Sequence, residues 1–135
     1  MRAIVVAALV CGCAADSDVV VDLGVIADYT TGEASIEHPA RVSVGADVSI
    51  TVRTSGCGEC TQFQRTDVAV NGRDVEIRPY DTRYLGLCGD CFEYFPHPVT
   101  VQFEEAGPAV IRVFGYMAGD RFGTVIERSS TLTVE

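Results

Sequence analysis

The sequence predicts an all-β fold, a single Greek-key β-sandwich of about seven to nine short strands, and three observations lead to it. Apolar and polar residues alternate over short stretches, as at Val42, Val44, Val48, Ile50 and Val52. Turn-forming residues separate those stretches at short intervals, among them Gly45-Ala46-Asp47, Asn71-Gly72 and Gly107-Pro108. No stretch keeps a 3.6-residue period over three turns, which disfavours an α/β domain.

Taken in order, a first strand is expected over residues 19–27, ending at Thr30-Thr31-Gly32, and a weaker one over 34–37 before His38-Pro39. Residues 48–53 carry the clearest early alternation. Residues 68–70 run into Asn71-Gly72, a strong hairpin signal, and 75–77 return from it. Val99, Val101 and Phe103 form one face of a later strand, residues 110–114 run back antiparallel to it, and a last strand covers 131–134. This run of elements, with its late hairpin around Glu104-Glu105-Ala106-Gly107-Pro108, resembles bacterial immunoglobulin-like domains over residues 39–116, and loosely the cupredoxins. The resemblance implies an immunoglobulin-like topology and nothing about activity.

The first residues read as an export address. Met1-Arg2 gives a positive start, residues 3–10 are an unbroken apolar run, and Cys11-Gly12-Cys13 follows. The run is too short to cross a bilayer as a helix, which needs about 20 apolar residues. Val10-Cys11-Gly12-Cys13 resembles the lipobox of bacterial lipoproteins, although Cys11 stands where Ala, Ser or Thr is commoner. The resemblance implies cleavage before Cys13, acylation of Cys13 with palmitate-type chains, and a lipid anchor strong enough to hold a chain at a membrane. Cys11, which follows the bulky Val10, is the poorer acceptor. An ordinary cleaved signal that releases the protein is the plainer alternative. Residues 1–12 are thus expected to be the signal peptide, 13–18 a lipidated tether, and 19–135 the β-sandwich domain, located in the bacterial cell envelope at an outer membrane or cell surface rather than in the cytoplasm.

Removal of residues 1–12 leaves 123 of the 135 residues, enough for one domain with one core. The net charge of −9 argues against nucleic acid and anionic lipid headgroups as partners. All ten basic residues are arginines, scattered without forming a patch.

The chemistry-bearing feature is a pair of motifs, Cys57-Gly58-Glu59-Cys60 and Cys88-Gly89-Asp90-Cys91. Two such knuckles can hold one zinc ion through four thiolates, although the interval between them exceeds the usual 15–20 residues or so. Export to an oxidising compartment places disulfides first, a zinc site on Cys57, Cys60, Cys88 and Cys91 second, and dithiol redox chemistry third. Four cysteines allow three pairings. Bridges within each motif would remove roughly 2 kcal/mol of unfolded-chain entropy each, and a bridge between motifs nearly 4. If the strands follow immunoglobulin order, both motifs lie in loops at one end of the sandwich and all four sulfurs can meet there. Thiol oxidoreductase chemistry fits poorly, since no helix N-terminus is in view and Glu59 and Asp90 would raise neighbouring thiol pKa values.

Other sites have little support. His97 lies between Pro96 and Pro98 and is expected to be an exposed connector, with a mixed sulfur–nitrogen metal site as the alternative; His38 before Pro39 is read the same way. Met117 lacks the Cys and His that blue copper needs beside it. No Asp-x-Asp-x-Asp-Gly loop, phosphate loop or Gly-x-Ser-x-Gly elbow is present. Tyr80, Tyr84, Phe92, Tyr94 and Phe95 gather near the cysteines and are expected to plug the core beneath the loops, or, if exposed, to form a contact surface. The sequence therefore points to a non-enzymatic, surface-anchored lipoprotein with no catalytic residue and no cofactor. It would be a structural or protein-interaction module of the envelope with a disulfide-stapled end. The alternative is a zinc-binding lipoprotein.

Overall fold

A computed structural model describes residues 18–28, 30–89, 91–119 and 123–135. The expected signal peptide and Cys13 lie outside the described residues. Ten strands are formed: β1 (Val19–Leu23), β2 (Val25–Ala27), β3 (Ile36–Glu37), β4 (Arg41–Val42), β5 (Val48–Gly56), β6 (Thr61–Asn71), β7 (Asp74–Tyr84), β8 (Glu93–Val101), β9 (Gly107–Met117) and β10 (Ile126–Val134). No helix occurs among the described residues.

The alternation seen in the sequence becomes one buried face on each long strand. Val48, Ile50 and Val52 of β5, Val75 and Ile77 of β7, Ile111 and Val113 of β9, and Leu132 and Val134 of β10 meet in a single apolar cluster closed by Phe103. Strands β5 and β7 share this cluster without pairing to each other, so the sheet folds back across it. Burial of such side chains, about 1.5–3 kcal/mol for each Val, Ile, Leu or Phe, is the main favourable term in the fold.

Where a sandwich would have two separate sheets, the ten strands join in one mixed sheet. One group is built on β7, whose one edge carries β6 along its length. Its other edge is shared between β1 near Tyr84 and β9 near Asp74. A second group is built on β5, flanked by β8 on one side and by β2 and β3 on the other. Strand β2 joins the two groups because it also pairs with β9. Three pairings are parallel, β2 with β9, β7 with β9 and β4 with β10, which alternation along the sequence cannot reveal.

The strand expected over residues 19–27 breaks at Gly24. There the chain leaves the edge of β7 and moves to β5 and β9, with the Gly24 N–H donating to the Pro79 carbonyl at 2.8 Å and its carbonyl accepting from Tyr116 N–H at 3.0 Å. A Cβ on Gly24 would stand 2.3 Å from Thr54 Cγ2 and 2.7 Å from Asp81 Oδ2, so the crossing requires glycine. The expected hairpin at Asn71-Gly72 is present one position later: Asn71 pairs with Asp74, leaving Gly72-Arg73 as the two-residue loop. Gly72 has φ 61°, the left-handed value that a type II′ turn places at its first central residue.

The two ends of the domain differ. At one lie the turns at Gly45, Gly72 and Gly107, with the Gly45 N–H donating to the Phe103 carbonyl and the Val110 N–H to the Arg73 carbonyl. At the other, the far end of the eleven-residue β7, lie both cysteine motifs. Gly24→Ala is expected to destabilise the domain by about 1–3 kcal/mol through overpacking of Thr54 and Asp81, read as a lower urea midpoint with an unchanged slope.

Candidate functional site

Cys57–Cys60 forms the turn between β5 and β6. Its tightness follows from two hydrogen bonds, with the N–H groups of Cys60 and Thr61 both donating to the Cys57 carbonyl at 2.9 and 2.7 Å. Gly56, the last residue of β5, packs against the Thr61 side chain so closely that a Cβ would lie 2.5 Å from its Oγ1. Cys88 and Cys91 lie in the connection between β7 and β8. Among the described residues few backbone hydrogen bonds hold that connection; Leu85 N–H donates to the Asp18 carbonyl at 2.7 Å and Cys91 N–H to that of Gly89 at 2.9 Å.

Two disulfides fix it instead. Cys57 is bonded to Cys91 and Cys60 to Cys88, with Cα separations of 4.8 and 6.1 Å, both inside the ordinary range for a bridge. Both bridges therefore run between the motifs. Their sequence separations of 34 and 28 residues correspond to about 3.5–4 kcal/mol for either bridge alone. Because one loop is nested in the other, the second bridge closes only the short segments left between them and adds about 2 kcal/mol.

The bridged end has apolar residues on its outside. Phe92 and Tyr94 are 60% and 56% exposed and meet edge to face at 4.9 Å, and Tyr84 is exposed as well. Phe95 and Tyr80 are half-buried, the latter under the Arg65 guanidinium at 4.1 Å. None of these five aromatics is in the buried core, where alternation had led some of them to be expected; Phe103 and the aliphatic residues fill it. Beside the bridges a cavity of about 300 Å³ is lined by Cys57, Cys60, Cys88, Cys91, Arg83 and Phe92 among others. A neighbouring groove of about 460 Å³ runs past Phe92 and Tyr94 to Arg53, Asp28 and Glu33. The Asp28 carboxylate accepts from the N–H groups of Thr31 and Thr30, which hold its pKa below the usual carboxylate value. Among the described residues no three His, Cys, Asp or Glu side chains form a group able to hold a metal ion.

His97 is not an exposed connector. It is wholly buried in β8, at the meeting of four strands. The strand keeps its period of two through the prolines, so Pro96 and Pro98 face outward while His97 faces inward with Val99 and Val101. Proline is tolerated because β8 is paired through its length with β5 and the missing N–H groups can lie off that ladder. Asp81 Oδ1 accepts from His97 Nε2 at 2.9 Å, and the Thr66 hydroxyl is bonded to Nδ1 at 2.8 Å. Thr54 Oγ1 lies 3.3 Å from Nε2, and the Phe63 ring covers the imidazole at 4.7 Å. The other oxygen of Asp81 is buried without a hydrogen-bond partner among the described residues, facing Gly24. An Asp–His–Thr row is also the order of a hydrolytic triad, but this one is sealed beneath Phe63 and joins β7, β8 and β6 across the core. His38, by contrast, is half-buried and bonded to Ser130 Oγ at 2.6 Å, remote from the cysteines in the ladder pattern.

No protein-family model, curated protein or solved structure matches the chain.

Removing one partner of the buried pair leaves the other uncompensated. Asp81→Ala and His97→Ala are each expected to cost about 3–5 kcal/mol, whereas the double variant Asp81→Val/His97→Leu should recover much of the loss. Chemical denaturation of the four proteins provides the check, and equal additive losses would exclude a coupled pair.

Proposed function

We propose that the protein is a non-enzymatic lipoprotein of the bacterial cell envelope, anchored through Cys13, whose disulfide-stapled end serves structural or interaction contacts. The observation that carries this reading is the pair of bridges between the two motifs. Bridges of this kind persist where glutathione and thioredoxin do not keep thiols reduced, so they agree with the export signal. The lipobox-like order Val10-Cys11-Gly12-Cys13 then supplies the anchor.

The scaffold is best described as an immunoglobulin-like Greek-key sandwich. Support comes from β5 and β8 lying over β6 and β7, with His97 bonded to residues of β6 and β7, and from the two cysteine loops reaching one end. Both catalytic-looking features find structural work in this account: the His97 row pins strands together, and the cysteines close loops.

A zinc-binding lipoprotein is the second reading, favoured by the same convergence of four sulfurs, which would form a tetrathiolate knuckle if all four were reduced.

The test is expression of the full chain in a bacterium with lipoprotein-processing enzymes, fed a palmitate bearing an alkyne. Label is expected on a membrane-bound protein, lost in Cys13→Ser and kept in Cys11→Ser. Label retained in Cys13→Ser, or an unlabelled protein released from the membrane, would overturn the anchor. One bound zinc with four alkylatable thiols in the same preparation would transfer the assignment to the second reading.

A further inference from the structure

The end that carries the bridges also receives the chain from its N-terminal side. Val19 pairs with Tyr84 at the end of β7, and the Leu85 N–H bonds to the Asp18 carbonyl. Cys13 and Asp18 are five residues apart, so a lipid on Cys13 lies at most roughly 18 Å along the chain from this point. The opposite end of the domain, with the Gly72 turn and the acidic pair Glu104-Glu105, is removed by the length of β7, about 35 Å for eleven residues.

On the connection between β7 and the bridges, Leu87 is 102% exposed and Leu85 45%. Single exposed leucines are ordinary on protein surfaces. Here two of them stand on one three-residue segment with a glycine between them, beside exposed Tyr84, and the Cys60–Cys88 bridge fixes the segment immediately after Leu87. The bridge holds the leucines outward. Among the described residues the exposed charges at the same end, Asp18, Glu59 and Glu93, are acidic, and Arg83 beside them is buried, which disfavours an anionic headgroup and suits a zwitterionic one.

We propose that this stapled loop is a membrane-resting surface: Leu85 and Leu87 enter the boundary between headgroups and acyl chains of the same leaflet that holds the lipid on Cys13, with Tyr84 at headgroup level. The inference rests on the lipoprotein reading and adds an orientation to it. A lipid alone does not fix which face of the domain meets the membrane. Two leucines at the tether's root set the domain upright, with the acidic Gly72 end directed away from the membrane. Aromatic side chains such as Tyr84 favour the headgroup level for the same reason that they girdle membrane proteins.

The chain contains no tryptophan, so one introduced indole reports alone. Leu87→Trp is compared with Val70→Trp, an exposed site near the Gly72 turn. Each full-length protein is processed in cells, purified from the membrane fraction, checked by intact mass for its lipid, and reconstituted in phosphatidylcholine vesicles with or without bromine on the acyl chains. Leu87→Trp should lose about half its emission to the brominated lipid, as expected of a side chain about 5–10 Å into the headgroup–acyl boundary, and Val70→Trp should lose none.

Equal, negligible quenching at both positions in a lipid-bearing protein would overturn the resting surface and leave the anchor standing. Emission from Leu87→Trp that is shielded in native membranes but water-exposed in pure lipid vesicles would also overturn it, and would assign the loop to a protein partner. Absence of lipid from the mass would overturn both readings together.

Discussion

The two disulfides between the cysteine motifs are the constraint on which the functional end of this protein depends. The sheet itself is held by ladders and by a core of Val, Ile, Leu and Phe, and the turn from β5 to β6 is tight enough to form from its own hydrogen bonds. Among the described residues the connection from β7 to β8 has no comparable support. Cross-motif pairing ties it to the β5–β6 turn at two points, so a segment that would otherwise sample many conformations is held with its apolar residues outward. Local bridges would have closed each motif on itself and left the two loops independent.

A second constraint acts beneath the first. Gly24 lets the N-terminal strand cross from β7 to β5 and β9, and the crossing places Asp81, Thr54 and His97 in contact under Phe63. The same compact crossing that needs a residue without a side chain also leaves one carboxylate oxygen of Asp81 without a partner among the described residues. Such a pin adds less to net stability than its hydrogen bonds suggest, since burying polar groups is costly. Its geometry nonetheless fixes which residues of four strands face one another.

Much of this was legible in the sequence, for physical reasons. Period-two alternation identified the class and the inward residues Val48, Ile50, Val52, Val101 and Phe103, because burial on one face of a strand imposes that period. Placing the motifs in loops on the assumption of immunoglobulin strand order allowed the four sulfurs to meet at one end, and the two bridges join them there. Other features were hidden. Strand β6 is largely exposed and so lacks the alternation that betrays a strand. The prolines around His97 masked the first part of β8, whose end at Val99 and Val101 was expected, since proline usually argues against a strand and here only marks an edge-compatible register. The parallel pairings depend on contacts between residues distant in sequence, and the choice among three disulfide pairings depends on which loops approach, which no local pattern encodes.

The stapled end depends first on the pairing of the cysteines, and the sequence itself supplies the means to read it. Glu59 lies between Cys57 and Cys60, Asp90 between Cys88 and Cys91, and Arg65, Arg73, Arg78 and Arg83 between the two motifs, so proteolysis at both acids and at the arginines separates all four sulfurs. Mass mapping of the protein purified from its membrane without reductant should then yield one cross-linked peptide pair joining Cys57 to Cys91 and another joining Cys60 to Cys88. Recovery of Cys57 linked to Cys60 and Cys88 linked to Cys91 would contradict the stapled loop and everything built on it.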